Sequence, residues 1–222
     1  MTFRRRVSLF VSASLILAAS GPYLAGQVRV VDLTNTPPNR ADWKIVASEA
    51  GGSLGSSQTP PSYVPVTVHL NNCAVRDSVF YYSVEIENSR KLELKVPVSL
   101  NSKLFDQRGT ITFRELLIRL GTVTNIQDPS TFQSDLAPIE LFGDQSVPGT
   151  LVVLAPGERL LLRLKSEAAH KAQELRSLLV NIGASDVTLS PGEDGYRKKE
   201  IWIPAFRAKS ESSCLEPEQE MR

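Results

Sequence analysis

The sequence predicts an all-β protein: an antiparallel β-sandwich of the immunoglobulin-like type, with one short crossover helix and an N-terminal extension. Apolar and polar side chains alternate in short runs between residues 63 and 209, a pattern typical of strands with one buried face. Turn residues separate these runs, and about eight short strands joined by turns are typical of a sandwich. The domain exceeds the roughly 100 residues of an immunoglobulin domain, so a jelly roll or a partly closed barrel remains an alternative.

The first 26 residues have the layout of a secretory signal peptide. Arginines fill positions 4–6, residues 7–19 are uncharged and apolar or small, and further small residues follow. This stretch is shorter than the roughly 20 apolar residues of a membrane-spanning helix, although an uncleaved anchor remains the alternative. We therefore expect an exported protein, periplasmic or extracellular, with no membrane span after cleavage and a mature chain that begins between Gly21 and Gln27.

Residues 27–50 form the predicted N-terminal extension. Two extended runs, at residues 28–33 and 43–47, flank a turn at residues 36–39 that contains two prolines. A segment of this length cannot bury a core of its own, so we expect it to be either draped on the main domain or partly mobile. Residues 51–62 are predicted to be a linker, because nine of these twelve residues are Gly, Ser or Pro.

The predicted β-sandwich domain, residues 63–209, opens with three runs of strict alternation. These runs are residues 64–70, 79–87 and 91–100. In the third run, Leu92 shares a parity with four further apolar residues, so all five are expected on the buried face. Pro97 has no N–H for a ladder and predicts an edge position or a bulge in that strand.

The next run, residues 110–120, changes parity in its middle. Ile111 and Phe113 share one parity, whereas the apolar residues at 116, 118 and 120 share the other. A β-bulge near residues 114 and 115 explains such a switch, and so does a bend where a strand changes sheets. We expect a long loop at residues 121–138 and a short strand at residues 139–142.

Two hairpins and a helix complete the domain. The first hairpin joins residues 151–154 to residues 159–164 through Pro156 and Gly157, which suit a type II turn. The second joins residues 178–189 to residues 199–208 through a turn at residues 190–195. Between the two, apolar residues at helical spacing predict a short helix over residues 166–176, with a continuous strand as the alternative.

The chain has two cysteines, Cys73 and Cys214. An even number of cysteines in an exported chain predicts a disulfide, and two unpaired thiols are the alternative. Cys73 follows the first strand of the domain and Cys214 follows the last, so the strand ends are expected to be neighbours. The bond would then hold the acidic C-terminal tail, residues 210–222.

The composition disfavours several classes of function. The 25 basic and 24 acidic residues nearly cancel, whereas a nucleic-acid partner needs clustered Lys and Arg. Aromatic residues make up only 7 %, so the signal for sugar binding is weak. The partner that the sequence suggests is an unknown protein.

Residues with catalytic or metal-binding chemistry are scarce. The chain has two histidines, His69 on the polar face of a strand and His170 in the predicted helix. A zinc site normally needs three or four ligands, and the cysteines do not form a Cys-x-x-Cys pair. The motifs of serine hydrolases, zinc proteases and nucleotide-binding loops are absent from the sequence. We therefore predict no catalytic, cofactor-binding or metal-binding residues and no cofactor.

These observations predict a non-catalytic exported module that acts through protein–protein contacts, in adhesion, scaffolding or envelope assembly. The alternative is an exported hydrolase whose active site lies on loops and leaves no motif, because loops carry much of protein function.

The last strand is the candidate interface. It is apolar on both faces, with Trp202, Pro204 and Phe206 on one of them, whereas a half-exposed strand has one polar face. One hypothesis is that the N-terminal extension covers it through Val28, Val31 and Trp43. The other is an assembly surface with Trp202 and Phe206 as interface residues, since Trp is enriched at interface hot spots.

Overall fold

A computed structural model describes residues 28–51, 66–106, 109–123, 132–134, 136–167, 178–203 and 208–212. Within these residues the chain forms thirteen strands and one 3₁₀ turn, at Ser102–Phe105. The strands are β1 Val28–Asp32, β2 Ile45–Gly51, β3 Val66–Arg76, β4 Val79–Asn88, β5 Leu94–Pro97, β6 Ile111–Val123, β7 Phe132–Ser134, β8 Ile139–Gly143, β9 Leu151–Leu154, β10 Arg159–Ser166, β11 Leu178–Pro191, β12 Tyr196–Trp202 and β13 Ala208–Ser212. No helix of the described segments is long and apolar enough to cross a membrane.

The strands form two main sheets and a small third one. The first sheet has the order β1-β10-β4-β3. The second has the order β2-β12-β11-β6-β7, with β13 also paired to β11 and β8 also paired to β6. The third joins β5 to β9. The all-β sandwich prediction is confirmed, whereas its immunoglobulin-like type stays a prediction and the crossover helix falls largely outside the described residues.

The main core lies between the first two sheets. It is built from the buried apolar side chains of β4 and β10 in the first sheet and of β6 and β11 in the second. Fully buried examples are Phe80, Ile86, Leu116, Leu160, Leu162 and Leu178. The alternation of the sequence therefore reports this core correctly, because one face of each strand points into it.

The N-terminal segment takes part in both sheets. β1 pairs in parallel with β10, at the edge of the first sheet. β2 pairs in parallel with β12, at the edge of the second sheet. The remaining strand pairs are antiparallel among the described residues, so the two parallel pairs come from this segment alone.

The parity switch in β6 has a different cause from the two that the sequence suggested. β6 pairs with β11 without a register shift from Ile111 to Gly121, so a bulge near residues 114 and 115 is wrong, and the strand stays in one sheet. Instead, the buried face changes along the strand. Leu116 and Ile118 belong to the main core, whereas Ile111 and Phe113 belong to a second apolar cluster. The buried face changes in the same way along β11: Ile182 and Ala184 belong to the main core, whereas Val187 and Leu189 belong to the second cluster.

The second cluster lies on the opposite face of the second sheet. Phe113 is at its centre, with ring centroids 5.3 Å from Phe105, 5.5 Å from Trp43 and 5.8 Å from Phe142. The other members are Ile111, Val187 and Leu189, with Val147 and Tyr196 packed against them. The long strands β6 and β11 therefore serve two cores, one on each side of the same sheet.

The predicted hairpin of residues 151–164 is wrong in its pairing and right in its turn. Gly157 has a φ of +79°, and the Glu158 N–H donates to the Ala155 carbonyl at 3.0 Å, as in a type II turn. However, β9 pairs with β5 and β10 pairs with β4. Type II turns splay the flanking strands, whereas tight hairpins use types I′ and II′. The turn therefore connects two sheets.

Three other sequence expectations receive definite answers. The hairpin between β11 and β12 is confirmed, with ladder pairs from Ser185–Trp202 to Pro191–Tyr196. The third alternating run is shorter than expected: it forms β5 only over Leu94–Pro97, and Leu92 is 67 % exposed rather than buried. Among the described residues Pro97 lies on a strand with one partner, which is the predicted edge position.

Asn88, at the end of β4, forms hydrogen bonds that hold the turn at residues 155–158 in place. Its side chain is fully buried, and its Nδ2 donates to the carbonyls of Leu154 at 2.9 Å and Leu92 at 3.0 Å. Its backbone N–H donates to the Glu158 carbonyl, and its own carbonyl accepts from the Gly157 N–H. One residue thus joins the first sheet to the β5–β9 pair.

Replacing Asn88 with Ala is expected to lower the free energy of unfolding by about 1–3 kcal/mol, because the buried hydrogen bond to the Leu154 carbonyl and the partly buried one to the Leu92 carbonyl are lost. Chemical denaturation of the two proteins measures the difference. Asn35→Ala is the control: Asn35 is exposed, and its replacement is expected to change stability by less than about 0.5 kcal/mol. Equal midpoints for N88A and N35A would contradict this role.

Candidate functional site

The candidate site lies on the outer face of the second sheet, which we define as the face opposite the main core. Strand alternation and the ladder register place three strands side by side there. Phe113 on β6 is opposite Val187 on β11, which is opposite Glu200 on β12. In the next row toward the C-terminus of β6, Glu115 is opposite Ser185, which is opposite Trp202. On β6 and β11 the outer face thus changes from apolar to polar between these two rows, whereas on β12 it changes from Glu200 to Trp202.

A cavity of about 260 Å³ lies where the outer face changes character, beneath the segment that leads into β2. Its apolar wall includes Trp43, Phe113, Phe142, Val187 and Leu189. Its charged lining consists of Arg40, Asp42, Glu115, Glu140 and Lys198. An apolar cavity with a few convergent polar groups is the usual form of a ligand site.

Residues 39–44, the segment that leads into β2, form the roof of the cavity and are held by hydrogen bonds at both ends. At one end, the Ala41 N–H donates to the Ser102 hydroxyl at 2.8 Å, and the Ser102 N–H donates to the Asn39 carbonyl at 2.9 Å. At the other end, the Tyr196 N–H donates to the Lys44 carbonyl at 2.8 Å. The roof is therefore fixed in place by the 3₁₀ turn and by β12.

Trp43 has an unmatched donor at the cavity. Its ring stacks on Phe113, and its Nε1 atom is buried with no hydrogen-bond acceptor in the described part of the chain. Most buried N–H groups in native proteins have a partner. The indole N–H of Trp43 is thus an unsatisfied donor that is buried within the protein rather than open to the cavity.

The charges at the cavity form two ion pairs and leave two lining carboxyls over. Arg40 pairs with Glu140 at 3.3 Å, and Lys198 pairs with Glu200. Asp42, which is exposed, and Glu115, which is partly buried, form no ion pair with a described residue. Glu115 is therefore the partly buried carboxyl without a paired cation.

The environment of Glu115 disfavours its charge. Burial is the main cause of a raised pKa of this carboxyl, because the ionised form loses hydration. The charges of Lys198 and Arg40 oppose the rise, and those of Glu140 and Glu200 add to it. A titratable group with a raised pKa inside a cavity is a physical pointer to a functional site.

The cysteines and Trp202 are only partly described. Cys73 lies in β3, within the β-bulge between Asn71 and Ala74. Cys214 lies outside the described residues, although β13 ends two positions before it and lies beside β3. Trp202 is half-buried against Gly183, where an added Cβ would lie 2.9 Å from the indole. Phe206 lies outside the described residues, so both the disulfide pairing and the interface role stay predictions.

The N-terminal residues proposed to cover the last strand have other partners. Trp43 packs into the second cluster, and Val31 packs against the main core. Val28 is 38 % exposed on β1. The extension contacts the last strand through the β2–β12 ladder, edge to edge, rather than through these three side chains.

His69 is exposed on β3, and His170 lies outside the described residues. Among the described residues, no three His, Cys, Asp or Glu side chains are grouped so as to hold a metal ion. Sequence reasoning missed Arg40, Glu115 and Glu140. The only signal in the sequence was the parity switch in β6. There the outer face has an apolar residue, Phe113, and two positions later the polar residue Glu115.

Comparison with known proteins adds little to this geometry. No protein-family model matches the chain, and no curated protein matches it. A crystal structure of a protein from Archaeoglobus fulgidus is similar over 68 % of this chain and 97 % of that one, at 10 % identity and a TM-score of 0.22. A likeness this weak carries no argument about fold or function.

Peptide mapping without reductant is expected to recover Cys73 and Cys214 in one linked peptide pair that separates after reduction. Cys73→Ser is expected to lower stability by about 4 kcal/mol, because a cross-link across a long loop restricts the unfolded chain. Reduced wild-type protein is the control and is expected to match C73S. Complete alkylation of both thiols without reductant would exclude the bond.

Proposed function

We propose that the protein is an exported, non-catalytic β-sandwich module that acts through contacts with a partner protein, in adhesion, scaffolding or envelope assembly. The observation that carries this proposal is the free edge of β2. Within the described residues, β2 pairs on one side with β12 and has no second neighbour. Its residues 45–50 are all exposed.

An exposed edge offers a row of backbone donors and acceptors. Another extended chain adds to such an edge as a further strand, and its main-chain hydrogen bonds supply the affinity. Stable proteins usually protect their edges with charge, proline, bulges or short length. An unprotected edge is therefore informative about binding.

β2 offers a longer exposed edge than β1 or β7. β7 has only three residues, and β3 has a bulge and lies beside β13. β1 has five residues, and Arg29 and Asp32 within it form ion pairs. β2 has seven residues without Pro, Lys or Arg; it carries one charge, Glu49, and a register shift at Val46, whose side chain is 46 % exposed. We therefore assign the partner contact to β2.

A charged residue on β2 is expected to reduce partner binding. Val46→Lys places a lysine on the exposed strand, which discourages the addition of another strand. The measurement is quantitative recovery of partner from the native envelope with tagged wild-type and variant protein, and V46K is expected to recover at least tenfold less. Val30→Lys is the matched control, because Val30 is 51 % exposed on the other edge strand β1. Equal losses in V46K and V30K, or no recovery with wild-type protein, would contradict the proposal.

A hydrolase is the second candidate, and one observation favours it. Glu115 and Glu140 line the same cavity. Arg40 forms an ion pair with Glu140 and not with Glu115. A carboxyl with a raised pKa beside an ionised one is the arrangement of an acid with a nucleophile or base. Both residues lie on strands, β6 and β8, rather than on loops.

Assays with p-nitrophenyl glycosides and esters distinguish these two candidates. The non-catalytic module is expected to show no turnover above that of buffer. A hydrolase with Glu115 as its acid would lose about 10²–10⁴-fold in rate on Glu115→Gln. Glu93→Gln is the control, because Glu93 is exposed and does not line the cavity. Turnover that E115Q abolishes and E93Q retains would overturn the non-catalytic proposal.

A further inference from the structure

We propose that the cavity on the outer face of the second sheet binds a small organic ammonium compound. Its cationic group lies beside Glu115, and its apolar body packs against Trp43 and Phe113. This site differs from the outer edge of β2, although Ile45 at the start of β2 also lines the cavity, so it goes beyond the proposed partner contact.

The charge at the cavity selects a cation. The lining has two basic groups and three acidic ones, and Glu200 beside Lys198 adds a fourth acid next to it. Both basic groups are already engaged, Arg40 with Glu140 and Lys198 with Glu200. This surplus of acidic groups would repel a bound anion, and a neutral ligand would leave Glu115 without a counter-charge. An ammonium ion compensates it.

Size and wall chemistry define the rest of the ligand. A cavity of about 260 Å³ has the volume of about nine liquid water molecules, which suits one ring or a short carbon chain. Aromatic rings attract cations through their faces, and Trp does so most strongly. Trp43, Phe113 and Phe142 supply such rings. A compact aromatic amine combines these features.

Binding of such a ligand is coupled to the protonation of Glu115. The charged groups that face this carboxyl are Arg40 from the roof, Glu140 from β8, and Lys198 and Glu200 from β12. The raised pKa means that some Glu115 carries a proton before binding, and the ligand cation favours the ionised form. Affinity therefore increases as the pH rises through the pKa of Glu115.

The test uses three probes of nearly equal shape: 2-amino-1-phenylethanol as its ammonium ion, neutral 1-phenylethanol and anionic mandelate. Calorimetric titration of the full chain at pH 7 is expected to give a millimolar or lower Kd for the ammonium probe. That Kd is expected to be at least tenfold lower than the Kd of either other probe. Equal affinity for all three probes, or no binding of the ammonium probe at 50 mM, would overturn the proposal.

Variants identify the groups that hold the probe. Glu115→Gln keeps the shape of the side chain and is expected to weaken ammonium binding at least tenfold and to remove its pH dependence. Trp43→Phe keeps a ring but removes the indole face, which attracts cations more strongly than the phenyl face, and is expected to weaken binding about threefold. Glu93→Gln is the control with no change. Unchanged affinity in E115Q would defeat the assignment.

Two further measurements keep the outcomes distinct. Because burial disfavours the charge of Glu115, E115Q is expected to unfold at the same temperature as wild-type protein or higher, so lost binding is not lost folding. Val46→Lys leaves the cavity lining intact and is expected to bind the probe normally. Failure of the partner contact at β2 therefore leaves the result for the cavity unaffected, and the reverse is also true.

Discussion

The structure depends on the uninterrupted pairing of β6 with β11. These two strands run together for eleven consecutive residue pairs, from Leu179–Gly121 to Leu189–Ile111, without a bulge. Because side chains alternate with a fixed period of two, a straight strand can bury a second apolar set only on its other face. The change of parity in both strands therefore marks the point where the apolar side chains pass from one core to the other. The main core lies on one side of the sheet and the Phe113 cluster on the other.

A sheet with apolar residues on both faces needs cover on both sides. The first sheet covers the main core. The second cluster is covered by pieces of chain that are distant in sequence, chiefly Trp43 from the N-terminal segment and Phe105 from the 3₁₀ turn. This cover stops where the outer face becomes polar at Glu115. The cavity lies at that boundary, which explains why it has one apolar wall and one charged wall.

Much of the fold follows from the sequence, because alternation reports which face of a strand is buried. It predicted most of the strands, the β11–β12 hairpin and the buried positions in β6. Alternation does not report the partner of a strand, so Leu154 and Leu160 seemed to belong to one hairpin although their strands pair in different sheets. The candidate site was not predictable as a motif, since Arg40, Glu115, Glu140 and Lys198 come from four separate segments. Only the register of the sheet brings them together.

The roof of the cavity and the free edge of β2 are one continuous piece of chain with a common anchor. Ile45 lines the cavity and is also the first residue of β2. Just before it, the Lys44 carbonyl accepts from the Tyr196 N–H, and a Cβ at Gly195 would lie 2.2 Å from that carbonyl oxygen. Gly195 also has a φ of +155°, which L side chains rarely adopt. The glycine in the β11–β12 turn thus permits the approach that positions both the roof over Glu115 and the first ladder contact of the exposed edge strand.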